Sequence, residues 1–340
     1  MRAALANSAL IASRRPAEWQ TEVTALRAYE ASDLPGVVQA WNRALAGGAN
    51  FFPLTEDCFQ ARVARQPSFS PQGLLVAAQG DQVTGFVHFG PATNFWFDLA
   101  ERQVTPGEGL IWALVAPPSD RPLAGDLLGA AMLRLREAGA RRILLYPSWV
   151  QCTQPFYNGI AGGYEMPGIS ASREEALALA ADQGFEPIAE YGTPEFDLSD
   201  GDRLAALRAE AVRIRLRMRD TGLEPRSREV TSAFFPPRRA AVLVRGTETI
   251  ATTAYGLWGE YAQAHGRRLY GITGVHVATH WRGLGLGKLI VTLALEAALA
   301  EGAEALHLHV YRANAPAWNL YHRAVGFQPR HTWLTLAAQV

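Results

Sequence analysis

The sequence predicts an α/β protein made of two similar halves, each a central mixed, mostly antiparallel sheet flanked by helices. Three observations lead to this prediction. Hydrophobic residues make up 49% of the chain and charged residues 19%, which is typical of a packed globular protein. The 340 residues exceed the size of one average domain and suffice for two. The same order of strands and helices also occurs twice, at a spacing of roughly 170 residues.

The first half begins with a short strand at "TALRAY", followed by a helix with Pro35 in its first turn. Two apolar runs on either side of Gly80-Asp81 predict a hairpin over residues 74–90. Helical spacing and buried apolar runs then predict, in order, a strand at 109–118, a helix at 122–140 and a strand at 141–149.

The second half repeats this order. A strand and a long helix opened by Ser199 or Asp200 come first, and a hairpin over 240–259 turns at Gly246-Thr247. The remaining predicted elements are a strand at 268–277, a helix at 285–303, a strand at 305–314, a short helix at 315–327 and a closing strand at 330–337. The predicted division is a flexible leader at 1–23, a first domain at 24–195 and a second domain at 196–340.

Charge and cysteine content restrict the partners and the compartment. The formal net charge is zero, which argues against nucleic acid or an anionic membrane as the main partner. Two cysteines, Cys58 and Cys152, cannot form a disulfide framework and fit a reducing compartment. No apolar run approaches the ~18 residues that span a bilayer. We therefore expect a cytoplasmic protein, either a monomer or a homodimer.

The stretch "HWRGLGLGKLI" at 280–290 places three glycines and Lys288, the chain's only lysine, directly before a predicted helix. A Walker A loop requires a glycine at the position of Arg282 and a hydroxyl residue after the lysine, so that assignment fails. The spacing also differs from the dinucleotide fingerprint G-x-G-x-x-G. Glycines before a helix nevertheless let backbone N–H groups approach an anion, which the helix dipole favours. A strand-to-helix turn without function remains the alternative.

This stretch resembles the R/Q-x-x-G-x-G/A signature of the GNAT superfamily of N-acetyltransferases, with Arg282, Gly285 and Gly287 at the signature positions. The segment "HVYRANAPAWNLYHRAVGF" is similar to a second motif of that family, about 30 residues further on. The resemblance is strong over roughly 200–340 and extends to 24–195 by element order only. It therefore implies the tandem, two-domain form of the superfamily.

The resemblance implies that acetyl-CoA or another acyl-CoA is a co-substrate. The strand around Val275 would bind the pantetheine arm and the thioester through its main chain, and the N–H groups from Leu284 to Lys288 would bind the pyrophosphate. The implied cofactor-binding residues are Val275, Val277, Arg282, Gly283, Leu284, Gly285, Leu286, Gly287, Lys288, Asn314 and Asn319. For Asn314, capping of the following helix explains the residue equally well.

The resemblance also implies a catalytic tyrosine. Tyr321 occupies the position at which the family commonly keeps a tyrosine close to the CoA sulfur, where it would act as general acid, although it also lies on an apolar helix face. The general base is open, because Thr273 occupies the position at which many family members carry a glutamate. His276 and Glu260 are candidates, as is a water relay from Thr273.

His307 and His309 alternate with apolar residues and would point to one sheet face. Together with His276 they suggest a metal site, but supporting carboxylates are missing, and we predict no metal.

In the first half, the segment aligned with the glycine loop keeps Arg121 and Gly125 but has Pro122, which has no N–H to donate. Asp126 would also repel phosphate there. We therefore predict a degenerate first domain. Its glycine- and aromatic-rich loop at 148–168 would shape a substrate pocket or a domain interface.

The predicted function is acyl-CoA-dependent N-acetyl transfer to an amine by direct attack, with CoA bound by the C-terminal domain. The acceptor would be a small amine or a peptide. Two alternatives stay open. One is a non-enzymatic acyl-CoA-binding or sensing protein, which the missing glutamate favours. The other is acetylation of an acidic protein or peptide that binds the arginine-rich helix at 203–219.

Overall fold

The computed structural model describes residues 25–92, 107–148, 156–230 and 238–340. The predicted leader and Cys152 lie outside these ranges.

Strands and helices alternate along both halves. The strands are β1 Ala25–Ala28, β2 Leu74–Gln79, β3 Gln82–Pro91, β4 Glu108–Val115, β5 Arg142–Leu145, β6 Ile169–Ser170, β7 Glu186–Asp197, β8 Glu224–Val230, β9 Arg238–Arg245, β10 Glu248–Leu257, β11 Leu269–Val277, β12 Ala305–His307, β13 Val310–Tyr311 and β14 Gln328–Gln339. The helices are α1 Leu34–Leu45, α2 Glu56–Phe59, α3 Arg121–Glu137, α4 Glu174–Asp182, α5 Gly201–Arg217, α6 Gly259–His265, α7 Leu286–Ala300 and α8 Ala315–Asn319. Single π-helical turns, Gln60–Ala64 and Leu320–Val325, extend α2 and α8.

Within the described ranges, all 14 strands belong to one sheet, with the order β1-β2-β3-β4-β5-β14-β7-β12-β11-β10-β9-β8 and with β6 and β13 as short additions. Two pairs are parallel, β4 with β5 and β11 with β12. The α/β fold class with a mixed, mostly antiparallel sheet is therefore confirmed.

The last strand of each half lies in the sheet of the other half. The C-terminal strand β14 pairs with β5 of the first half, Leu336 opposite Leu145. Strand β7, which follows α4 of the first half, pairs with β12 of the second half, Phe196 opposite Leu306. Strands β7 and β14 also pair with each other along most of their length. The boundary predicted between residues 195 and 196 lies inside β7.

Side chains that alternate along the strands build a core on each face of the sheet. In β2, Leu74 and Val76 belong to the core beside α1, whereas Leu75 and Ala77 belong to the core beside α3, as the period of two requires. The corresponding helix of the second half, α7, is anchored by eight buried residues. Full burial of an aliphatic side chain stabilises the fold by about 1.5–3 kcal/mol, so α7 is held firmly.

Most predicted elements occur at the predicted places, including both hairpins and the helices of both halves. The strand predicted at 305–314 is interrupted, however. Its first part, β12, pairs with β11 on one side and with β7 on the other, whereas the described pairing of its second part, β13, is with β7 only. Between the two parts, Leu308 N–H donates to Pro194 O at 3.3 Å, so the contact with β7 continues. The predicted helix at 315–327 is also irregular, because its second half is the π-helical turn.

Candidate active site

Strands β11 and β12 separate after a short parallel contact. They are paired at only three positions, ending with Gly271 opposite His307, and the chain beyond β12 then continues along β7 as β13, whose described pairing is with β7 and not with β11. A β-bulge at Gly274, whose φ is +61°, bends the second half of β11. The result is a gap, one wall of which is the segment of β11 from Ile272 to Val277.

The glycine loop lies where β11 leads into α7. Gly283 and Gly285 have φ values of +81° and +86°, in the left-handed region that favours glycine, and Gly285 is the N-cap of α7. The first N–H groups of a helix have no carbonyl partner within the helix. They and the positive end of the dipole of this 15-residue helix therefore face the loop. This supports anion binding over a turn without function.

Three cations lie around this helix start. Arg282 Nε donates to Val277 O at 3.0 Å, so this side chain also ties the loop to the end of β11. Lys288 follows Gly287 in the first turn. The third cation was missed at the level of sequence: the guanidinium of Arg217, on α5, lies 3.8 Å from where a Cβ on Gly285 would stand. The sequence pattern of α5 indicates that Arg217 is exposed, but only the packing of α5 against α7 shows that it lies beside Gly285.

Tyr321 lies beside the segment of β11 that lines the gap: it belongs to the π-helical turn after α8 and to the core cluster against which Val275 and Val277 pack. Its side chain is buried and packs edge-on against Phe327, with ring centroids 6.0 Å apart. Burial raises the pKa of its phenol far above the ordinary value, and the negative charge of Glu165 raises it further. The phenol therefore keeps its proton at neutral pH. The two predicted asparagines are exposed, and the Asn314 side chain caps α8 by accepting from Ala317 N–H at 3.2 Å.

A loop of the first half, residues 156–168, closes over the start of the gap. The ring of Tyr164 lies so close to Gly271 of β11 that a Cβ there would stand 2.3 Å from its Cγ. Trp258 Nε1–H donates to Gly159 O at 2.7 Å, which fixes the loop from the second half. The sequence predicted that this loop shapes a pocket or an interface, and in the structure it contacts the second half at its gap.

The loop carries a buried carboxyl group, that of Glu165, with 3% of the residue exposed. Burial raises the pKa of this group to about 8, and the positive charge of Arg238 opposes the rise. Arg238 in turn donates from Nη1 to Thr273 Oγ1 at 3.1 Å. A carboxyl group therefore lies near the position at which β11 itself carries a threonine. Glu165 was not among the sequence candidates, because nothing local distinguishes it from other loop residues.

His307 and His309 lie side by side, as predicted, with ring centroids 5.5 Å apart. Burial lowers the pKa of His307 to about 3 and lowers that of His309 well below its ordinary value, so both rings are neutral. His307 stacks on Trp258 at 5.1 Å, and His309 Nδ1 is 2.7 Å from Thr193 Oγ1. Within the described ranges, no group of three or more potential metal ligands is found.

The other two sequence candidates for the base lie in different places. His276 is exposed on the segment of β11 that lines the gap, where it pairs with Thr252 of β10. Glu260 lies on α6 and forms an ion pair with Arg62 of the first half, Oε1 to Nη2 at 3.2 Å. The structure therefore places Thr273 and His276 on the wall of the gap, with Tyr321 and the loop of Glu165 near it, and it places Glu260 at the contact between the halves.

The helix of the first half that corresponds to α7 starts differently. Asp120 caps α3 by accepting from Leu123 N–H at 3.1 Å, and Pro122 occupies its first turn. Arg121 forms an ion pair with Asp182, and Gly125 lies within the helix without a positive φ. The N–H groups at the start of α3 are thus partly capped, and the degeneracy of the first domain stays a prediction.

Comparison with known families identifies a match in the second half. Residues 210–327 match the model of the acetyltransferase (GNAT) family. Among curated proteins, none matches this sequence. No helix in the part of the chain that the structure describes has both the length and the apolar character to cross a membrane.

Solved structures show the same fold at low sequence identity. A tandem GNAT protein from the clavulanic acid biosynthesis pathway is 15% identical with a TM-score of 0.60, and the match covers 93% of this chain and 98% of that one. A GCN5-related N-acetyltransferase from Sphaerobacter thermophilus is 13% identical with a TM-score of 0.55, covering 93% and 95%.

A third structure is a GCN5-related glucosamine N-acetyltransferase region in a fungal multi-domain GH3 beta-N-acetylglucosaminidase. It is 17% identical with a TM-score of 0.63, and the match covers 93% of this chain. The present chain spans only 38% of that longer protein.

Proposed function

We propose that the protein is an acyl-CoA-dependent N-acetyltransferase whose second half, in which residues 210–327 match the GNAT family model, binds acetyl-CoA in the gap beside β11. The observation that carries this proposal is the continuity between the gap and the glycine loop. A long substrate with an anionic end and a neutral reactive arm fits such a site. The first half would then have a structural and substrate-shaping role.

In this proposal the pyrophosphate contacts the start of α7. Main-chain N–H groups of the loop would donate to its oxygens, and Arg282, Lys288 and Arg217 would supply positive charge. The pantetheine arm would lie along β11 near Val275 and Val277. Arg282 already donates a hydrogen bond to the Val277 carbonyl. The pantetheine arm would therefore bind the N–H and C=O groups of the bulged residues that precede Val277.

The reaction we propose is direct transfer. The neutral amine adds to the thioester carbonyl, the C–S bond breaks, and the thiolate takes a proton to leave as CoA thiol. Tyr321 would donate that proton, since its phenol is protonated and lies near the wall of the gap. The amine must lose one proton to a base during the same reaction, which keeps the proton count balanced.

Gly285→Asp tests the cofactor site. An aspartate at φ +86° is strained, and its charge would lie where the phosphates bind, so acetyl-CoA affinity should fall by at least about tenfold, equal to about 1.4 kcal/mol. Isothermal titration calorimetry with acetyl-CoA measures this. Gly184→Asp is the control, because Gly184 has a φ of +79° and open space around it but lies in the first half. Wild-type affinity in Gly285→Asp would refute the pyrophosphate assignment.

The acceptor is best sought by thiol release from acetyl-CoA with a panel of amines. The panel should include glucosamine, which the fungal neighbour's description names, together with polyamines, amino acids, aminoglycosides and peptides. Turnover with one class identifies the acceptor class. Binding of acetyl-CoA without turnover on any amine would favour the sensing protein over the enzyme.

A further inference from the structure

The strand that lines the gap carries no carboxylate in its bulged region, yet the reaction needs a proton acceptor next to the amine. We propose that Glu165, supplied by the loop of the first half, is the general base of the active site in the second half. This inference rests on the proposed function, and it gives the first half a direct part in catalysis.

The position of the loop supports the assignment. Residue 164 packs on Gly271, the last residue of β11 that pairs with β12, so the next residue in the chain lies at the opening of the gap. Asn158 Oδ1 accepts from Met166 N–H at 2.8 Å, which fixes the backbone directly after Glu165. The carboxyl group is therefore held by contacts on both sides of it in the chain.

The charge of Glu165 interacts with two side chains of the second half. The Arg238 guanidinium attracts it while donating to Thr273 Oγ1 of β11, and the same charge raises the pKa of Tyr321. The buried carboxyl group is thus within electrostatic reach of the strand that would hold the thioester and of the phenol that would protonate the sulfur.

The chemistry of the group suits an amine. A primary alkylammonium has a pKa of about 10, so a carboxylate with an ordinary pKa is a weak base toward it. With the pKa of Glu165 near 8, proton transfer from nitrogen is less uphill, which favours catalysis. The ammonium gives one proton to Glu165, the neutral nitrogen attacks the carbonyl, and the C–S bond breaks as Tyr321 protonates the departing sulfur. The nitrogen, now bonded to the acyl carbon, gives its second proton to the tyrosinate, and Glu165 releases its proton to solvent.

Other titratable and charged groups around the site must be considered in reading a pH profile. Arg238 stays cationic despite its burial, although burial lowers its pKa, and Tyr164 stays neutral because burial raises its pKa. The Arg62–Glu260 pair acts on Tyr164 from the first half and α6. His309, whose ring lies against Gly163, is neutral over the relevant range. The group facing the gap that changes charge near pH 8 is therefore Glu165.

The test is Glu165→Gln, which preserves shape and removes the base. With the amine that gives the fastest thiol release, we expect kcat/KM to fall by about 10²–10⁴-fold, while calorimetric acetyl-CoA affinity stays at the wild-type value. The wild-type profile should lose activity as pH falls below about 8, because Glu165 becomes protonated, and this limb should be absent from Glu165→Gln.

Glu108→Gln is the matched control, since Glu108 is a partly buried carboxylate paired with Arg142 in the first half, away from the gap. It should keep the wild-type rate and the limb near pH 8. Wild-type kcat/KM in Glu165→Gln, with that limb unchanged, would overturn the assignment.

Glu165→Asp covers the case in which the glutamine variant does not fold. It should keep the limb and lower kcat, because the carboxylate is withdrawn by one methylene, and an unchanged kcat would also overturn the assignment. Failure of the proposed function itself is seen separately, in the calorimetry of Gly285→Asp.

Discussion

Tyr321 and Glu165 share an unusual property for ionisable side chains, because both are buried and both have raised pKa values. The two groups differ in how far the rise goes. The phenol is protonated over the whole physiological range, whereas the carboxyl group titrates near pH 8. A pair of buried groups with such separated pKa values is the pattern expected of an acid and a base.

Tyr321→Phe should lower kcat by about 10²-fold or more, the typical contribution of a general acid. It should leave acetyl-CoA affinity nearly unchanged, because the ring still packs against Phe327. Steady-state thiol release and calorimetry measure the two quantities. The same change at Tyr29, a buried tyrosine of the first half, is the control, and an unaltered kcat in Tyr321→Phe would mean that the tyrosine only packs.

Among single residues of the site, those whose role follows from the local sequence pattern can be predicted from the sequence. The glycine loop is such a case, since positive φ and a helix start are local properties. Glu165 and Arg217 are not, because each acts through a neighbour more than 60 residues away in the chain, at Thr273 by way of Arg238 and at Gly285. The burial of Glu165 and the contact of Arg217 in the folded chain, not their residue types, indicate their roles in the site.

The loop at 156–168 is the element that joins the two halves at the gap. Its contact with β11 depends on the missing side chain at Gly271, over which the Tyr164 ring lies. The hydrogen bond from Trp258 to Gly159 ties the loop to the segment between β10 and α6. The loop is therefore positioned by the very strand beside which the substrate is proposed to lie.

Gly271→Ala tests the importance of this contact. The added Cβ would overlap the Tyr164 ring, and such overpacking costs about 1–3 kcal/mol. We expect a lower melting temperature and a kcat that falls more than acetyl-CoA affinity does. The control is Gly129→Ala on α3, where a Cβ meets nothing within 4 Å and the substitution should stabilise the helix. Wild-type kcat in Gly271→Ala would show that the loop does not set the site.

Helices and strands with a clear hydrophobic period were predictable from the sequence. The elements that were not predicted correctly have physical causes. The alternation of Leu306 to Val310 continues without a break, so only the end of the pairing with β11 after His307, while the pairing with β7 continues, reveals that the strand is interrupted. Strand β8 was missed because its sequence, "EPRSREV", is polar throughout. It is an edge strand whose residues are mostly exposed, and charged edge strands are the rule in soluble sheets.

The whole molecule is one sheet because β7 and β14 are exchanged between the halves. Each half supplies the strand that completes the other, and the two exchanged strands pair in the middle. A duplicated element order predicts two domains side by side. It carries no information about which of two equivalent strands completes which sheet, so the exchange could not be predicted from the sequence.

Separating the chain between Leu198 and Ser199 tests this arrangement. Fragment 1–198 alone would lack β14 and fragment 199–340 alone would lack β7, so each should be insoluble or unfolded by circular dichroism. Co-expressed, the two should copurify, because all strands are then present. An intact chain cleaved at the same point after folding is the control and should remain assembled. A fragment that unfolds cooperatively on its own would contradict the prediction.

The position of β14 also matters during synthesis. Leu145 emerges from the ribosome about 190 residues before its partner Leu336, which at ~5–20 residues per second is a delay of roughly 10–40 s. Throughout that interval β5 has an open hydrogen-bonding edge on the side that β14 will occupy. The nascent chain is therefore exposed to aggregation and to pairing with a neighbouring copy throughout that interval, and completion of the first half depends on a strand made long after it.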